Sequence, residues 1–404
     1  MASFGYSAVD IKGNEFKGSL QAQDLDHAMR ELKGKGLLPV RVVEQNVMTQ
    51  DINFSALKRV TARDLALFCR QFTSIYRAGV PIVDCLRLLT EQTANIKLKD
   101  ATQDVLTEIE KGEPLSQALM QHPKVFPALL VTTVAAGEAT GTLDVSFERM
   151  ALQFEKTHKL QAMVKKAMIY PLIVAIVAII VVIVMLVKVI PSYVDMFAQL
   201  GTQLPAVTRF VVALSEFVVN FWFVIAFAIL VVVLFVRRAK HTKGGRKFFD
   251  RIALKLPLFG KLNEKKACSM LARTLATLYS SGVPMADSIE ITARTMENVW
   301  YHDALTDALE AVIAGQPLSR PLEVSGLFPP LLYHMIRIGE ETGETDVMLE
   351  KLADYYDEEV ENATQSLSAA MEPMIIIVLA LIVGFLVAAI MAPMLTMYQA
   401  LETI

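Results

Sequence analysis

The 404-residue sequence has few cysteines and almost no excess of charge. Its three cysteines form no CxxC pair, and we expect them to be reduced thiols in a cytosolic setting. The 39 basic and 42 acidic residues leave a net charge of only −3, which argues against a nucleic-acid-binding protein. The opening MASFGYSAVD lacks a basic region and an apolar region. We therefore expect no signal peptide and insertion through internal spans.

Catalytic signatures are missing as well. There is no GxxxxGK[ST] phosphate loop, no HExxH or other zinc spacing among the six histidines, and no serine in GxSxG. No carboxylate lies inside the long apolar stretches, as an intramembrane protease would need, and a transporter would also need polar groups there. These absences predict a protein that is not an enzyme and that needs no cofactor.

Long apolar stretches are abundant. Hydrophobic residues make up 53% of the chain, and its mean hydropathy is +0.42. Three uncharged stretches are long enough to cross a bilayer, which takes about 20 residues. They cover residues 169–187, 217–236 and 373–394. We therefore expect a polytopic membrane protein.

The basic residues predict its orientation. Residues 149–168 hold five Lys and Arg and residues 237–256 hold eight, whereas residues 188–216 hold two. Because basic residues accumulate on the cytoplasmic side, the N-terminus and residues 237–372 are predicted to be cytoplasmic.

The strongest pattern is an internal repeat. Residues 70–89 align with residues 273–292, and GEATGTLD from Gly137 aligns with GEETGETD from Gly339. The offset between the two copies changes only from 203 to 202 residues, which indicates a duplication. In each copy a GVP segment and a G-x-P-L-S segment place Gly where a helix stops and Pro where the next one starts.

These patterns predict a mostly α polytopic membrane protein with two duplicated cytoplasmic helical bundles, three transmembrane helices and a small N-terminal α/β module. The predicted domains are an α/β module (1–50), a first bundle (61–168), a first span (169–187), a periplasmic loop (188–216), a second span (217–236), a basic cytoplasmic linker (237–265), a second bundle (266–372), a third span (373–394) and a periplasmic stub (395–404).

The GExTG segments are candidate metal sites. Glu138 and Asp144, with Glu340 and Asp346 in the second copy, offer hard oxygen ligands to a divalent cation. The alternative is a helix–turn–helix corner in which a glycine ends one helix and the acids cap the next. Two acids fall short of a full oxygen cage, which favours the corner.

An acidic stripe precedes the third span and is a candidate partner contact. Its members are Asp354, Asp357, Glu358 and Glu361, and the first copy has Lys156 and Lys159 where the second has Glu358 and Glu361. Such a stripe is either a solvated face or a surface that docks on a basic partner, including the basic copy of a neighbouring subunit. Glu372, at the membrane entrance, is either interfacial or contacts a polar group on a membrane-embedded client.

The chain resembles the inner-membrane platform proteins of type IV pilus and type II secretion systems. The resemblance rests on the GVP, G-x-P-L-S, F-P and GExTG motifs and on three spans at these spacings. The resemblance covers essentially the whole chain. KAMIYPLIV, VIPSYVDMF and LGTQLPAVTRFVVALSEF resemble the pilus branch in particular, of the mannose-sensitive-pilus type.

The resemblance implies a bacterial cytoplasmic-membrane protein that contacts a hexameric cytoplasmic ATPase and acts on pilin or pseudopilin subunits. Inner-membrane alignment components and a second copy of the chain, as a dimer or higher oligomer, are the other implied partners. The family offers no catalytic residues to carry over. The alternatives are a secretion platform, a three-span membrane enzyme with Glu372 as its acid, and a transporter subunit.

Overall fold

The computed structural model describes residues 2–9, 15–22, 24–34, 38–44, 59–192, 206–257 and 259–402. The chain divides into two compact units, Met1–Arg59 and Val60–Ile404. The first contains a three-stranded antiparallel sheet in the order β2-β1-β3, formed by β1 (Ala2–Val9), β2 (Glu15–Ala22) and β3 (Leu38–Glu44). Helix α1 (Leu25–Gly34) buries Ala28 and Leu32. This confirms the small α/β module.

The second unit begins with a repeat of six helices. They are α2 (Ala62–Arg77), α3 (Ile82–Gln92), α4 (Ile96–Glu110), α5 (Leu115–Met120), α6 (Ala128–Thr140) and α7 (Leu143–Val184). Two further helices, α8 (Ala206–His241) and α9 (Lys243–Lys255), separate this repeat from the second one. The predicted basic linker (237–265) is therefore mostly helical.

The second repeat has the same six helices. They are α10 (Phe259–Ser280), α11 (Met285–Thr295), α12 (Val299–Ile313), α13 (Ser319–Ser325), α14 (Pro330–Thr342) and α15 (Thr345–Glu402). Helices α3 and α11 begin 203 residues apart, and α7 and α15 begin 202 residues apart. The duplication inferred from the sequence is thus a duplication of structure.

Glycines with positive φ end helices at matched positions. Gly79 and Gly282 have φ values of 85° and 83°, which side chains with a Cβ atom rarely adopt. The proline two residues later precedes the first residue of the next helix, where its missing N–H has no cost. The GVP segments therefore form the turns that their sequence predicts.

Each repeat has its own apolar core. In the first, the Phe72 and Phe147 rings stack with centroids 3.8 Å apart and bring α2 against α7. In the second, the Tyr301 and Phe328 rings lie 5.3 Å apart, beside a fully buried Leu275. The N-terminus of α2 is fixed by a capping box in which Thr61 and Asp64 exchange hydrogen bonds.

Three helices, α7, α8 and α15, are long and apolar enough to span a membrane. Their most apolar windows are 11%, 0% and 6% buried within the protein, so nearly all of this apolar surface needs lipid to cover it. Helices α7 and α15 run without a break from their bundles into these windows. Phe210 of α8 meets Phe385 of α15 edge-on at 6.4 Å. Residues 193–205, in the predicted periplasmic loop, lie outside the described residues.

Candidate functional site: the contact between the repeats

The two repeats meet along one face of α7, which packs against α10 and α15. Arg149 donates hydrogen bonds to the Ser280 carbonyl and to the Ser281 hydroxyl. One turn further along α7, the buried Gln153 accepts a hydrogen bond from Thr277 Oγ1 at 3.3 Å. Leu278 and Val283 of the second repeat also pack into the apolar core of the first, so the contact between the repeats combines polar and apolar groups at the end farther from the membrane.

Opposite charges continue this contact towards the membrane. Lys156 Nζ lies 3.5 Å from Asp354 Oδ1, and Lys159 Nζ lies 3.6 Å from Glu361 Oε2. Two members of the predicted acidic stripe therefore contact the basic copy of their own chain. All four side chains are more than a third exposed, so each pair contributes at most about 1 kcal/mol.

Arg273 of α10 is the centre of a less exposed cluster. Its Nη2 atom lies 2.7 Å from Asp354 Oδ1 and 2.5 Å from Asp357 Oδ2. Ser269 donates a hydrogen bond to the second oxygen of Asp357. The side chains of Arg273 and Asp357 are only 16% and 12% exposed, so the loss of either would leave a partly buried charge.

Two opposing effects act on the Asp354 carboxyl. Partial burial raises its pKa, but the hydrogen bond and charge of Arg273, with help from Lys156, lower it more. The net result is a pKa below the ordinary value, which keeps Asp354 ionised.

The first repeat contains the matching ion pair. Arg70, which aligns with Arg273, makes a bidentate contact with Glu155, which aligns with Asp357, and both Nη2 distances are 2.8 Å. These side chains are 40% and 44% exposed. This duplicated pair was not among the predicted site residues, although the alignment of both arginines and both acids was a usable signal.

A cavity of about 260 Å³ lies beside Arg273, between α7, α10 and α15. Its apolar walls are formed by Leu160, Val164, Met168, Met270 and Val360, and its basic lining residues are Lys156, Lys165, Lys266 and Arg273. Met168 directly precedes the first predicted span. The cavity therefore reaches from the polar contact between the repeats to the membrane entrance.

The GExTG glutamates have a clear structural role. Glu138 Oε1 accepts a hydrogen bond from Leu115 N at 2.7 Å, and Oε2 accepts one from Ser116 N at 3.1 Å. Glu340 contacts the backbone nitrogens of Leu318 and Ser319 in the same way. Each glutamate thus caps the helix that starts at the PLS segment. The expectation that these acids cap the following helix is wrong for both glutamates.

The remaining parts of the GExTG segments form the predicted corner. Gly141 and Gly343 end their helices with φ values of 72° and 76°. Asp144 and Asp346 lie in the first turns of α7 and α15, and Asp144 Oδ2 lies 3.2 Å from Arg77 Nε. In the part of the chain that the structure describes, no three His, Cys, Asp or Glu side chains gather where they could hold a metal. The cation site stays a prediction.

Glu358 and Glu372 differ from the rest of the acidic stripe. Both are exposed. They are the predicted partner-contact residues that, among the described residues, have no basic group of their own chain within 4.0 Å.

Comparison with known proteins agrees with this duplicated architecture. The family described as "Type II secretion system (T2SS), protein F" matches residues 68–191 and again residues 271–393, and the family's N-terminal domain matches residues 1–43. The chain belongs to the type II secretion system protein F family. The two matched segments lie within the two structural repeats and their attached spans.

Curated members of the family are similar over nearly the full length. The "Type IV pilus assembly protein PilC" of Myxococcus xanthus is 37% identical over 99% of this chain and 96% of its own. The protein of the same name from Thermus thermophilus is 36% identical over 98% of each chain. The "Type II secretion system protein F" of Vibrio cholerae is 32% identical over 98% of each chain. The chain is therefore a multi-pass membrane platform protein of pilus and secretion systems.

Proposed function

We propose that the chain is the non-enzymatic inner-membrane platform that couples a hexameric cytoplasmic ATPase to the insertion and extraction of pilin subunits in a type IV pilus. The observation that supports this most directly is the continuity of α7 and α15. Because each helix is part of a bundle and of a membrane span, displacement of a bundle by a motor displaces the span as well.

The proposed orientation puts both repeats in the cytoplasm. The basic residues that flank the spans support it, since five lie just before the first span and eight just after the second. In this orientation the repeats face the ATPase and the spans face membrane-embedded pilins. Alignment components of the inner membrane and a second copy of the chain complete the proposed partners.

The pilus is preferred over secretion because of the relatives. The two pilus-assembly proteins described above are 37% and 36% identical to the chain, whereas the secretion protein is 32% identical. A platform of a type II secretion system, acting on pseudopilins, is the second candidate, and the family's description favours it.

Glu358 and Glu372 are the proposed partner-contact acids. Asp354, Asp357 and Glu361 already contact basic groups of their own chain, which leaves these two exposed carboxylates available. Glu372 directly precedes the third predicted span and is placed to meet a polar group on a client in the membrane.

Deletion of the chain tests the proposal. Electron microscopy is expected to show loss of surface fibres while pilin is still made and processed, and affinity capture of the intact complex should recover an ATPase and pilin. Intact fibres with cargo retained behind the outer membrane would assign the chain to secretion. Unprocessed pilin would instead support a membrane peptidase.

A further inference from the structure

Helix α9 carries an apolar stripe that the protein does not cover. Phe248 and Ile252 lie four residues apart on α9, and Leu256, a further four residues on, is its C-cap; they are 63%, 41% and 48% exposed. Residues at this spacing lie on the same face of a helix. None of the three belongs to the three predicted spans.

The start of α9 lies close to the membrane. The second predicted span ends at residue 236, α8 ends at His241, and α9 begins at Lys243. The corner between them is tight, because a Cβ atom on Gly245 would come within 2.1 Å of the Ala239 carbonyl oxygen. The first turn of α9 therefore packs directly on the end of a membrane-spanning helix.

The end of α9 lies close to the membrane too. Leu256 follows α9, and α10 begins three residues later at Phe259. Phe259 and Leu262 pack in a cluster that includes Met168 and Met371. Met168 immediately precedes the first predicted span, and Met371 lies two residues before the start of the third. With both ends at this level, α9 runs along the membrane surface.

The opposite face of α9 is attached to the second repeat. Asp250 Oδ2 accepts a hydrogen bond from Val299 N at 2.9 Å, and the Lys247 carbonyl accepts one from Trp300 Nε1 at 3.2 Å. Leu254 packs against the core of the second repeat. Since this face is turned to the bundle, the stripe of Phe248, Ile252 and Leu256 is turned away from the bundle.

The surroundings of the stripe are basic. Arg251 and Lys255 are exposed on α9 itself, and exposed Arg237, Arg238 and Lys240 lie at the end of α8. Arg251 also lies over the Trp300 ring of the second repeat, 5.3 Å from its centroid. An apolar stripe with basic flanks is the pattern of a helix that lies in a membrane interface containing anionic lipids.

We propose that α9 lies in the headgroup layer of the membrane that the chain spans, on the side of the repeats. Phe248, Ile252 and Leu256 insert between the acyl chains, and the flanking arginines and lysines contact the phosphates of anionic phospholipids. The second repeat is thereby held to the membrane surface at α9, in addition to its attachment through α8 and α15.

Spin-label accessibility in the full-length protein tests this proposal. Phe248→Cys and Ile252→Cys are labelled separately and measured in nanodiscs of phosphatidylcholine and phosphatidylglycerol, with oxygen as the apolar relaxant and a nickel chelate as the water-soluble one. Ile313→Cys is the control, since Ile313 is 70% exposed at the far end of α12. Unsubstituted protein, whose three cysteines are buried, gives the background.

We expect the labels on α9 to lose nickel accessibility and gain oxygen accessibility relative to the control. High nickel accessibility, equal to that of the control, would overturn the proposal. Low accessibility to both relaxants would also overturn it, because it would mean that a protein surface such as a second copy covers the stripe.

The charge requirement has its own test. We expect the labels on α9 to become more accessible to the nickel chelate in nanodiscs of phosphatidylcholine alone. We expect the same change in the mixed nanodiscs when the protein carries Arg251→Gln and Lys255→Gln. Equal accessibility to the nickel chelate in the mixed nanodiscs, in phosphatidylcholine alone and with the two substitutions would overturn the anionic-lipid contact.

Discussion

Lys156 Nζ and Asp354 Oδ1 lie 3.5 Å apart, although the two residues belong to different copies of the duplicated unit. The copies have diverged to opposite charge along this face, and the fold brings the diverged faces together. A stripe that suggested a docking surface for another molecule is thus partly a contact within one chain.

Glu358 and Glu361 should therefore respond differently to charge reversal. Glu361→Lys places a like charge near Lys159, and we expect Lys159→Glu in the same chain to restore the lost stability. Glu358→Lys should leave stability unchanged and reduce fibre assembly. Thermal unfolding and fibre counts measure the two effects, and normal assembly with Glu358→Lys would remove Glu358 from the partner surface.

Arg273 and Arg70 occupy equivalent positions but differ in exposure. Arg273→Met should lower the free energy of unfolding by about 3 kcal/mol, because Asp357 would remain largely buried without its partner. Arg70→Met, in a pair that is 40% and 44% exposed, should cost about 1 kcal/mol or less. Denaturant unfolding of the two variants, measured side by side, checks the difference. Equal losses would contradict the role of burial.

Glu138 should stabilise α5 through its backbone contacts. Glu138→Ala leaves the N–H groups of Leu115 and Ser116 without this acceptor, so we expect a loss of about 1–3 kcal/mol. The capping role also predicts a melting temperature that is independent of divalent cations and chelators. A rise with a cation that disappears in Glu138→Gln would instead establish the metal site.

Gly282 is needed for the turn between α10 and α11. Its φ of 83° is unfavourable for any other residue, by roughly 1–2 kcal/mol for residues with a Cβ atom. Gly282→Val should therefore lower the melting temperature and the amount of inserted protein. Gly244→Val is the control, because the space around that exposed helical glycine is open. Equal behaviour of the two variants would refute the turn assignment.

The three cysteines should react slowly in the folded protein. Burial raises the pKa of the Cys69, Cys85 and Cys268 thiols, so that little thiolate forms near neutral pH. Alkylation at pH 8 should proceed only after unfolding by denaturant. Rapid modification of the native protein would contradict this burial.

The features that the sequence predicted correctly are those with local causes. The spans follow from uncharged apolar stretches, and the Gly79 and Gly282 turns follow from the demand for positive φ. The repeats follow from direct comparison of the two halves. The spans and turns are each determined by a few neighbouring residues, and the repeats are visible because the two segments have similar sequences.

The features that it missed depend on residues far apart in the chain. Glu138 reaches an N-terminus that lies 23 residues earlier, and nothing in the GExTG segment itself indicates that helix. Helix α9 lies in the predicted basic linker (237–265) and is an exception, because its signal is local. The four-residue spacing of Phe248, Ile252 and Leu256 was the signal that favoured a helix.

The length of α15 has a mechanical consequence. Its 58 residues extend about 87 Å, and the part before the third predicted span is about 42 Å long. If this rod pivots where it enters the membrane, a tilt of about 10° moves the end in the bundle sideways by about 7 Å, which is more than the rise of one helical turn. The part of α15 from residue 373 onward is about 45 Å long, so the two arms are nearly equal. Helix α15 can thus transmit a sideways displacement of the bundle to its far end at a similar size and in the opposite direction.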